Sequence, residues 1–450
     1  MVLIGLDVGT TTLSSVAFDT DQGVPVTSKT LPNAASLPPG APWQRQQDPE
    51  VILHLCEELL QGYGKQYPVG GVGLTGQMHG VLYLDRQGTA LSPLYTWEDE
   101  RGNLSHREGV SHCEFLQRET GYPMATGFGL TTHFYNLEND LVPKNAVTLC
   151  TIGDYLAMRL TRQKRPLMHK SNAAGIGLFD LSAGAFSATA LQKAGIDPAF
   201  LPGISPSEQV VGQTAEGWPV AIAIGDNQAS FLGSVGQGSN LLVNVGTGSQ
   251  VSLCSAHLPQ NANYECRPYL DGQYLLLGSV LCGGAAFQLL RDFFLEVTQT
   301  LGTPKEVNFY ALMEQEAEKA AQCGDPLLVD TRFRGSRQQP GIRGSIQNIG
   351  PGNFTLGQLT LGVLQGMCDE LYGYYDKMPG ELKEEPVVVG SGNAVRKTKL
   401  LQHLLESTFQ KQLRIPRFEE EAAFGASLLA ARLLLPGCSW AQVRRYVRYQ

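Results

Sequence analysis

The stretch VLIGLDVGTTTLSSVAFD at residues 2–19 has a counterpart at residues 241–253, which read LLVNVGTGSQVSL. Each stretch begins as an apolar strand, passes through glycine and hydroxyl residues typical of a turn, and ends as a second apolar strand. Placing Gly9 on Gly246 aligns the two stretches. Two unrelated hairpins would also give this pattern, because such residues are common in turns. The alternative is two related domains, each presenting a turn whose amides and hydroxyls hold phosphate oxygens.

Strands and helices alternate along the rest of the chain, which predicts an α/β fold. VGGVGLTG at residues 69–76 and PVAIAIGDNQASF at residues 219–231 each begin as a buried strand, and the second becomes a helix at Asp226. The polar, glycine-rich stretch GSVGQGSN at residues 233–240 is typical of a linker. We therefore predict two domains, residues 1–235 and residues 236–450.

Composition and charge exclude several classes of protein. The chain has 450 residues, of which 42% are hydrophobic, and its net charge of −8 argues against a broad nucleic-acid-binding surface. Asp7 interrupts an N-terminal apolar run that has no basic lead, so we expect no signal peptide. We expect no membrane span, because no apolar stretch reaches about 18 residues. Scattered cysteines without a CxxC pair indicate reduced thiols in a cytoplasmic protein.

Two well-known phosphate-binding motifs are absent or out of context. No GxxxxGK[ST] sequence occurs, which excludes a P-loop. Residues 71–76 spell GxGxxG, but a dinucleotide-binding fingerprint requires a helix after it. The strand-like QMHGVLYLD follows instead, so we regard this match as accidental.

Two aspartates stand at the ends of apolar strands, where an unpaired carboxylate is unfavourable. Asp7 either braces its turn by accepting backbone amides or holds Mg²⁺ through water. Asp226 either caps the helix that follows or acts as a general base at the carboxyl end of a strand, where α/β proteins bind ligands. The residues alone leave these alternatives open.

Other segments carry groups that suit a nucleoside or a sugar. GSGN at residues 390–393 lies between a buried strand and a helix, and is either a plain turn or a flat surface for a base or ribose. QMH at residues 77–79 ends a strand, and WEDER at residues 97–101 places an aromatic ring near an acid and a guanidinium. Such groups pair with sugar hydroxyls and stack on sugar C–H faces. The alternatives are a satisfied core histidine at position 79 and a local ion pair within WEDER.

Together these segments resemble the FGGY family of carbohydrate kinases, whose architecture is a pair of actin-like (ribonuclease H-like) ATPase domains with a cleft between them. DVGTTT resembles the family's first phosphate loop, NVGTGS its second, GDNQAS the segment with its catalytic aspartate and VGSGNAV its adenosine loop. GQMHG and WEDER resemble its sugar-binding segments. The matches run in family order from residue 5 to residue 425, so the resemblance covers essentially the whole chain.

The resemblance implies a kinase that uses ATP and Mg²⁺ to phosphorylate the terminal primary hydroxyl of a ketose or polyol. It implies that Asp226 is the catalytic base and that Asp7 orients Mg²⁺ through water. The implied ATP-binding residues are Gly9, Thr10, Thr11, Thr12, Gly246, Thr247, Gly248, Gly390, Gly392 and Asn393. The implied substrate-binding residues are Gln77, Met78, His79, Trp97, Asp99, Arg101, Phe128, Asp226 and Asn227. No nucleic-acid or membrane partner is implied, and a homodimer is compatible with the resemblance.

Within the family, TGQMHG, TWEDER, ATGFG at residues 125–129 and RPLMHKSNAAGIGLF at residues 165–179 resemble the branch that phosphorylates sedoheptulose. Sedoheptulose is therefore the expected substrate, with xylulose, ribulose or a polyol as alternatives. Many members carry Lys or Arg seven residues after the first aspartate, where this chain has Ser14. Phosphate charge must then be met by Mg²⁺, the two turns or a basic group elsewhere. A non-catalytic ATP-binding sensor and an actin-like filament protein are the alternatives of other classes.

Overall fold

Two large mixed sheets organise the computed structural model, which describes residues 1–107, 109–259, 264–302, 307–336, 339 and 341–450. The first sheet is ordered Val210–Gln213, Pro219–Ala221, Val69–Gly76, Val2–Val8, Thr12–Asp19 and Val24–Pro32, with Ile224–Gly225 also paired to Val69–Gly76. The second sheet is ordered Glu265–Pro268, Tyr274–Val280, Ser249–Ser255, Leu241–Val245, Val387–Ser391 and Gln412–Arg414.

Helices and short ladders surround these sheets. In the described part of the chain, helices α1 to α14 are Pro49–Gly64, His112–Thr120, Gly129–Glu138, Ile152–Leu160, Lys170–Ile176, Ala188–Lys193, Asp226–Ser234, Gly284–Thr300, Phe309–Ala320, Leu356–Asp376, Asn393–Lys397, Lys399–Phe409, Glu421–Leu434 and Trp440–Arg444. Short 3₁₀ helices are Glu100–Asn103, Pro198–Phe200 and Gly380–Leu382. Two-stranded ladders pair Gln46–Gln47 with Leu94–Tyr95, Leu82–Leu84 with Thr148–Cys150, Leu167–Met168 with Gly203–Ile204, Phe179–Asp180 with Ala185–Phe186, and Leu328–Asp330 with Ser345–Gln347. Within these described ranges, no helix has the length and apolar character that a bilayer crossing requires.

In chain order, the first two strands of each sheet form one of the two hairpins that the sequence predicts. Val2–Val8 runs antiparallel to Thr12–Asp19, and Leu241–Val245 runs antiparallel to Ser249–Ser255. In each sheet the first strand of the hairpin also pairs, in parallel, with a strand from later in the chain. The same arrangement in the two halves confirms the prediction of a repeated α/β unit. The register differs in one detail: Val8 faces Leu13, whereas Val245 faces Ser249, so the second turn is one residue shorter.

Helices α7 and α13 cross between the two halves. Helix α13 comes from the predicted second domain but packs on the first sheet and on α7. The crossing is close, because a Cβ on Gly425 would lie 1.8 Å from the carbonyl oxygen of Ala229. Helix α7 in turn reaches the second half, where the Phe231 ring lies 5.4 Å from that of Tyr269. One apolar core therefore contains residues from both halves. A division of the chain at residue 235 assigns each sheet to its own half, but helices α7 and α13 pack together across that division.

Candidate active site

Three neighbouring strands of the first sheet end at the same edge. Val2–Val8 and Ile224–Gly225 both run parallel to Val69–Gly76, with Asp7 opposite Thr75 and Thr75 opposite Ile224. The hydroxyl of Thr75 donates to the Ile224 carbonyl over 2.8 Å, which fixes this register. Because parallel strands bring their carboxyl ends together, Asp7, residues 77–79 and Asp226 are assembled at one edge of the sheet.

Asp7 is a carboxylate with an unsatisfied atom. Its Oδ1 is buried and has no hydrogen-bond partner within the described structure. Burial, together with the charges of Asp226 and Glu420, raises the pKa of Asp7 to about 7. These contributions show that the three carboxylates share one neighbourhood. Mg²⁺ is commonly held by one or two carboxylates together with substrate phosphates, so Asp7 fits a magnesium ion better than it fits a turn brace.

Asp226 is the first residue of helix α7, and the N-cap position belongs to Gly225. The backbone amide and side-chain amide of Asn227 donate to Asp226 Oδ1 over 2.6 and 2.9 Å. Burial raises the pKa of Asp226, whereas the nearby charge of Arg267 and the Asn227 hydrogen bonds lower it. A carboxylate with a raised pKa and a fixed orientation is suited to accept a proton. The helix-cap alternative for Asp226 is therefore not what the structure shows.

The turn at residues 9–12, which is the predicted first phosphate loop, is tied to the predicted sugar-binding segments. Trp97 Nε1 donates to Thr10 Oγ1 over 2.9 Å, and Thr10 Oγ1 donates to Gln77 Oε1 over 3.4 Å. Gln47 Nε2 donates to the Thr10 carbonyl over 2.7 Å and Gln47 Oε1 accepts from Gln77 Nε2 over 2.8 Å. The turn itself closes through a bond from the Gly9 amide to the Thr12 carbonyl. Gln47 thus belongs to the site, and nothing in its short polar context predicts this.

His79 stands in an unusual backbone conformation. Its φ is 75°, a region that non-glycine residues rarely occupy and that is enriched at functional sites. Its ring stacks on Phe128 with centroids 4.7 Å apart and planes 6° apart. His79 Nδ1 lies 2.5 Å from the Gly175 carbonyl, so it carries the proton. Next to it, Met78 Sδ lies 3.6 Å from Asn227 Nδ2, which links the QMH segment to the residue that orients Asp226.

Asp99 and Arg101 lie in the interior, which corrects the prediction that both contact substrate. Their side chains are 0% and 2% exposed, and Arg101 Nε donates to Asp99 Oδ1 over 2.7 Å. The guanidinium also sits 4.1 Å from the Tyr95 ring centroid and bonds Asn136 Oδ1. Asp99 and Arg101 therefore form the local ion pair that was the alternative interpretation of WEDER. Its effect is to shape the loop that presents Trp97, which is 48% exposed.

The turn at residues 246–248, which is the predicted second phosphate loop, lies beside the predicted adenosine loop. The Gly246 amide donates to the Gly248 carbonyl over 3.0 Å, and Asn244 Nδ2 donates to Ser391 Oγ over 2.8 Å. Gly392 has a φ of 90°, and a Cβ there would lie 2.5 Å from the Val245 carbonyl oxygen. This position therefore needs glycine. Gly390 lies inside the strand Val387–Ser391, and Thr247 and Asn393 are exposed.

Ser14, at the position where many family members carry Lys or Arg, takes part in a chain of polar contacts. Ser14 Oγ lies 3.2 Å from Thr30 Oγ1, and Thr30 Oγ1 donates to Glu420 Oε1 over 2.7 Å. Glu420 precedes helix α13 and is one of the charges that raise the pKa of Asp7. Near Asp226, the positive charge that lowers its pKa is that of Arg267. Neither Glu420 nor Arg267 follows from the sequence, because both approach the site from the other half of the molecule.

Comparison with known proteins agrees with this geometry. Residues 2–233 match the model of the FGGY family of carbohydrate kinases, N-terminal domain, and residues 241–434 match that of its C-terminal domain. The chain belongs to the FGGY family of carbohydrate kinases. It is therefore a sugar kinase, as the sequence resemblance predicts, and kinases of this family use ATP as the phosphate donor.

Individual FGGY relatives cover nearly the whole chain. The sedoheptulokinase of Mus musculus is 28% identical over 95% of this chain and 97% of its own length. The human sedoheptulokinase is 27% identical over 96% and 97%. Xylulose, glycerol and gluconate kinases are also similar. Among solved structures, gluconate kinase from Lactobacillus acidophilus superposes with a TM-score of 0.84 at 20% identity, over 100% of this chain and 92% of that one. That likeness confirms the two-domain, actin-like fold.

Proposed function

We propose that this FGGY kinase transfers the γ-phosphoryl group of ATP to the terminal primary hydroxyl of sedoheptulose, giving sedoheptulose 7-phosphate. The observation that carries the chemistry is the convergence of Asp226, Asp7 and the first turn at one strand edge. The choice of sugar is supported by the two sedoheptulokinases that match along nearly the full chain. Trp97, His79 and Phe128 supply the aromatic and polar surface that a sugar requires.

In the proposed reaction Asp226 acts as the general base. The substrate hydroxyl oxygen attacks the γ-phosphorus, the bond to the bridging oxygen of ADP breaks, and the hydroxyl proton moves to the Asp226 carboxylate. Asn227 holds that carboxylate through Oδ1, which leaves Oδ2 for the proton. Positioning and charge stabilisation supply most of the rate enhancement in such transfers.

The remaining groups hold ATP. The turns at residues 9–12 and 246–248 face the β- and γ-phosphates, and Gly390, Gly392 and Asn393 line the adenosine side. Mg²⁺ held by Asp7 through water would neutralise phosphate charge when it is bound. The link from Trp97 through Thr10 to Gln77 joins the sugar segments to the phosphate turn, so sugar binding and phosphate placement are coupled.

ADP release measured with Mg-ATP over sedoheptulose, xylulose, ribulose, gluconate, glycerol and no sugar tests this proposal. Asp226→Asn should reduce turnover by about 10²–10⁴-fold and leave ATP affinity nearly unchanged. Asp154→Asn is a matched control, because Asp154 is also a buried aspartate whose pKa burial raises to about 7. That control should keep its turnover.

Each result of this panel has one meaning. A preference for sedoheptulose that is lost in Asp226→Asn supports both substrate and base. A preference for another sugar retains the mechanism and overturns the substrate. No turnover on any sugar, with ATP still bound, would favour the non-catalytic sensor. Full turnover in Asp226→Asn would reject Asp226 as the base.

A further inference from the structure

Arg267 is a buried arginine at the contact between the two halves. It lies in the strand Glu265–Pro268 at the edge of the second sheet and is 5% exposed. Its Nε and Nη2 both lie 2.6 Å from Glu265 Oε1. The remaining terminal nitrogen, Nη1, lies 3.6 Å from Met78 Sδ, which belongs to the first half. A buried guanidinium is retained only where neighbouring groups compensate its desolvation.

Two further contacts lead from Arg267 to the base. Met78 Sδ lies 3.6 Å from Asn227 Nδ2 as well as from Arg267 Nη1. Asn227 Nδ2 donates to Asp226 Oδ1 over 2.9 Å. A thioether is a weak acceptor, so these contacts fix positions more than they add binding energy. The direct effect is electrostatic, because the charge of Arg267 favours the carboxylate of Asp226 against its burial.

The strand that carries Arg267 is anchored on the helix that carries Asp226. Gln228 Nε2 on α7 donates to the Pro268 carbonyl over 2.9 Å, and Gln228 is fully buried. This bond ties the backbone at Pro268, next to Arg267, to helix α7 two residues after Asp226.

We propose that Arg267 is a positioning residue that holds the Asp226 carboxylate in its reactive place from the opposite half of the molecule. This inference rests on the proposed function, since it concerns the same base. It also makes the geometry of the base depend on contact between the two halves.

Steady-state kinetics of Arg267→Met and Arg267→Lys test the proposal. Methionine keeps much of the side-chain length without the charge, and lysine keeps the charge without the planar fork. We expect kcat to fall at least about tenfold in Arg267→Met, because a misplaced Asp226 would lose part of the rate enhancement that a general base provides. Arg267→Lys should recover part of that loss, and KM for ATP should stay within about twofold in both. Arg159→Met, which removes a more exposed arginine paired with Glu50 at 2.6 Å, is the control and should retain kcat.

A double-mutant cycle separates positioning from general structural support. Asn227→Ala should lower kcat by itself, and adding Arg267→Met should lower it little further, because both changes release the same carboxylate. Multiplicative losses would overturn the inference, as would wild-type kcat in Arg267→Met. If Arg267→Met does not fold, the charge-retaining Arg267→Lys decides: wild-type kcat with a raised KM for ATP would contradict the proposal. Activity lost in Asp226→Asn but kept in Arg267→Met refutes this inference alone, whereas full activity in Asp226→Asn refutes the proposed function.

Discussion

Replacing Asp7 by asparagine should stabilise the metal-free protein at pH 8. Burial and the charges of Asp226 and Glu420 together raise the pKa of Asp7 from 3.8 to about 7, so between these values the folded state holds a proton that the unfolded state has released. Stability therefore falls as the pH rises through this window. A difference of about three pKa units corresponds to on the order of 4 kcal/mol. Asparagine does not titrate, so Asp7→Asn should gain up to that amount at pH 8 and little near pH 4.

Urea unfolding in EDTA across pH 4.5 to 8 measures this effect. Asp154→Asn should flatten the pH dependence in the same direction, because burial also raises the pKa of Asp154 to about 7. Mg²⁺ distinguishes the two sites. Millimolar MgCl₂ at pH 8 should stabilise the wild type and Asp154→Asn, but not Asp7→Asn. The reasoning would be refuted if Asp7→Asn were less stable than the wild type by the same amount at pH 8 and at pH 4.5. That result would show that the charged Asp7 carboxylate is well accommodated in the folded protein.

Two further changes test the fold and the site. Gly425→Ala should destabilise the protein by about 1–3 kcal/mol, because its Cβ would lie 1.8 Å from the Ala229 carbonyl oxygen; thermal unfolding would show it. Gly373→Ala, which meets no atom within 4 Å on helix α10, is the control and should be neutral or stabilising. Trp97→Phe removes the hydrogen bond to Thr10 Oγ1, worth about 1 kcal/mol, and should raise KM for ATP as well as for sugar about fivefold. A change in the sugar KM alone would contradict the link to the phosphate turn.

Local pattern was enough to predict the two hairpins and the helix that begins at Asp226. The hairpin at residues 2–19 and its counterpart at 241–253 form as expected, because each alternates an apolar strand, a turn and an apolar strand. Helix boundaries follow local signals as well: helix α1 begins at Pro49, directly after Asp48, whose side chain caps its first turn. The places of Asp7 and Asp226 near strand ends were also predictable, because Val2–Val8 ends one residue after Asp7 and Ile224–Gly225 ends directly before Asp226.

Burial and long-range contact were not predictable from local pattern. The WEDER segment contains charged groups suited to a sugar, yet Asp99 and Arg101 close on each other in the interior. Whether an acid and a guanidinium two residues apart face a cleft or a core depends on the residues packed around them, here Tyr95 and Asn136. The same limit applies to Arg267, whose neighbour Met78 is 189 residues away in sequence.

The two halves are joined by two kinds of contact, one between backbones and one between side chains. This difference affects how the Asp226 base is positioned. At the crossing of α7 and α13, backbone meets backbone through Gly425 and Gly233, so the helices have little freedom to slide. The contact of Arg267 with Met78 joins long side chains that extend from the two halves. We therefore expect relative motion of the halves to be a rotation about the helix crossing, which would change side-chain contacts at the site before it disturbs the core. A base held by Arg267 would then be complete only when the halves are together, which is also when water is excluded from the phosphoryl group.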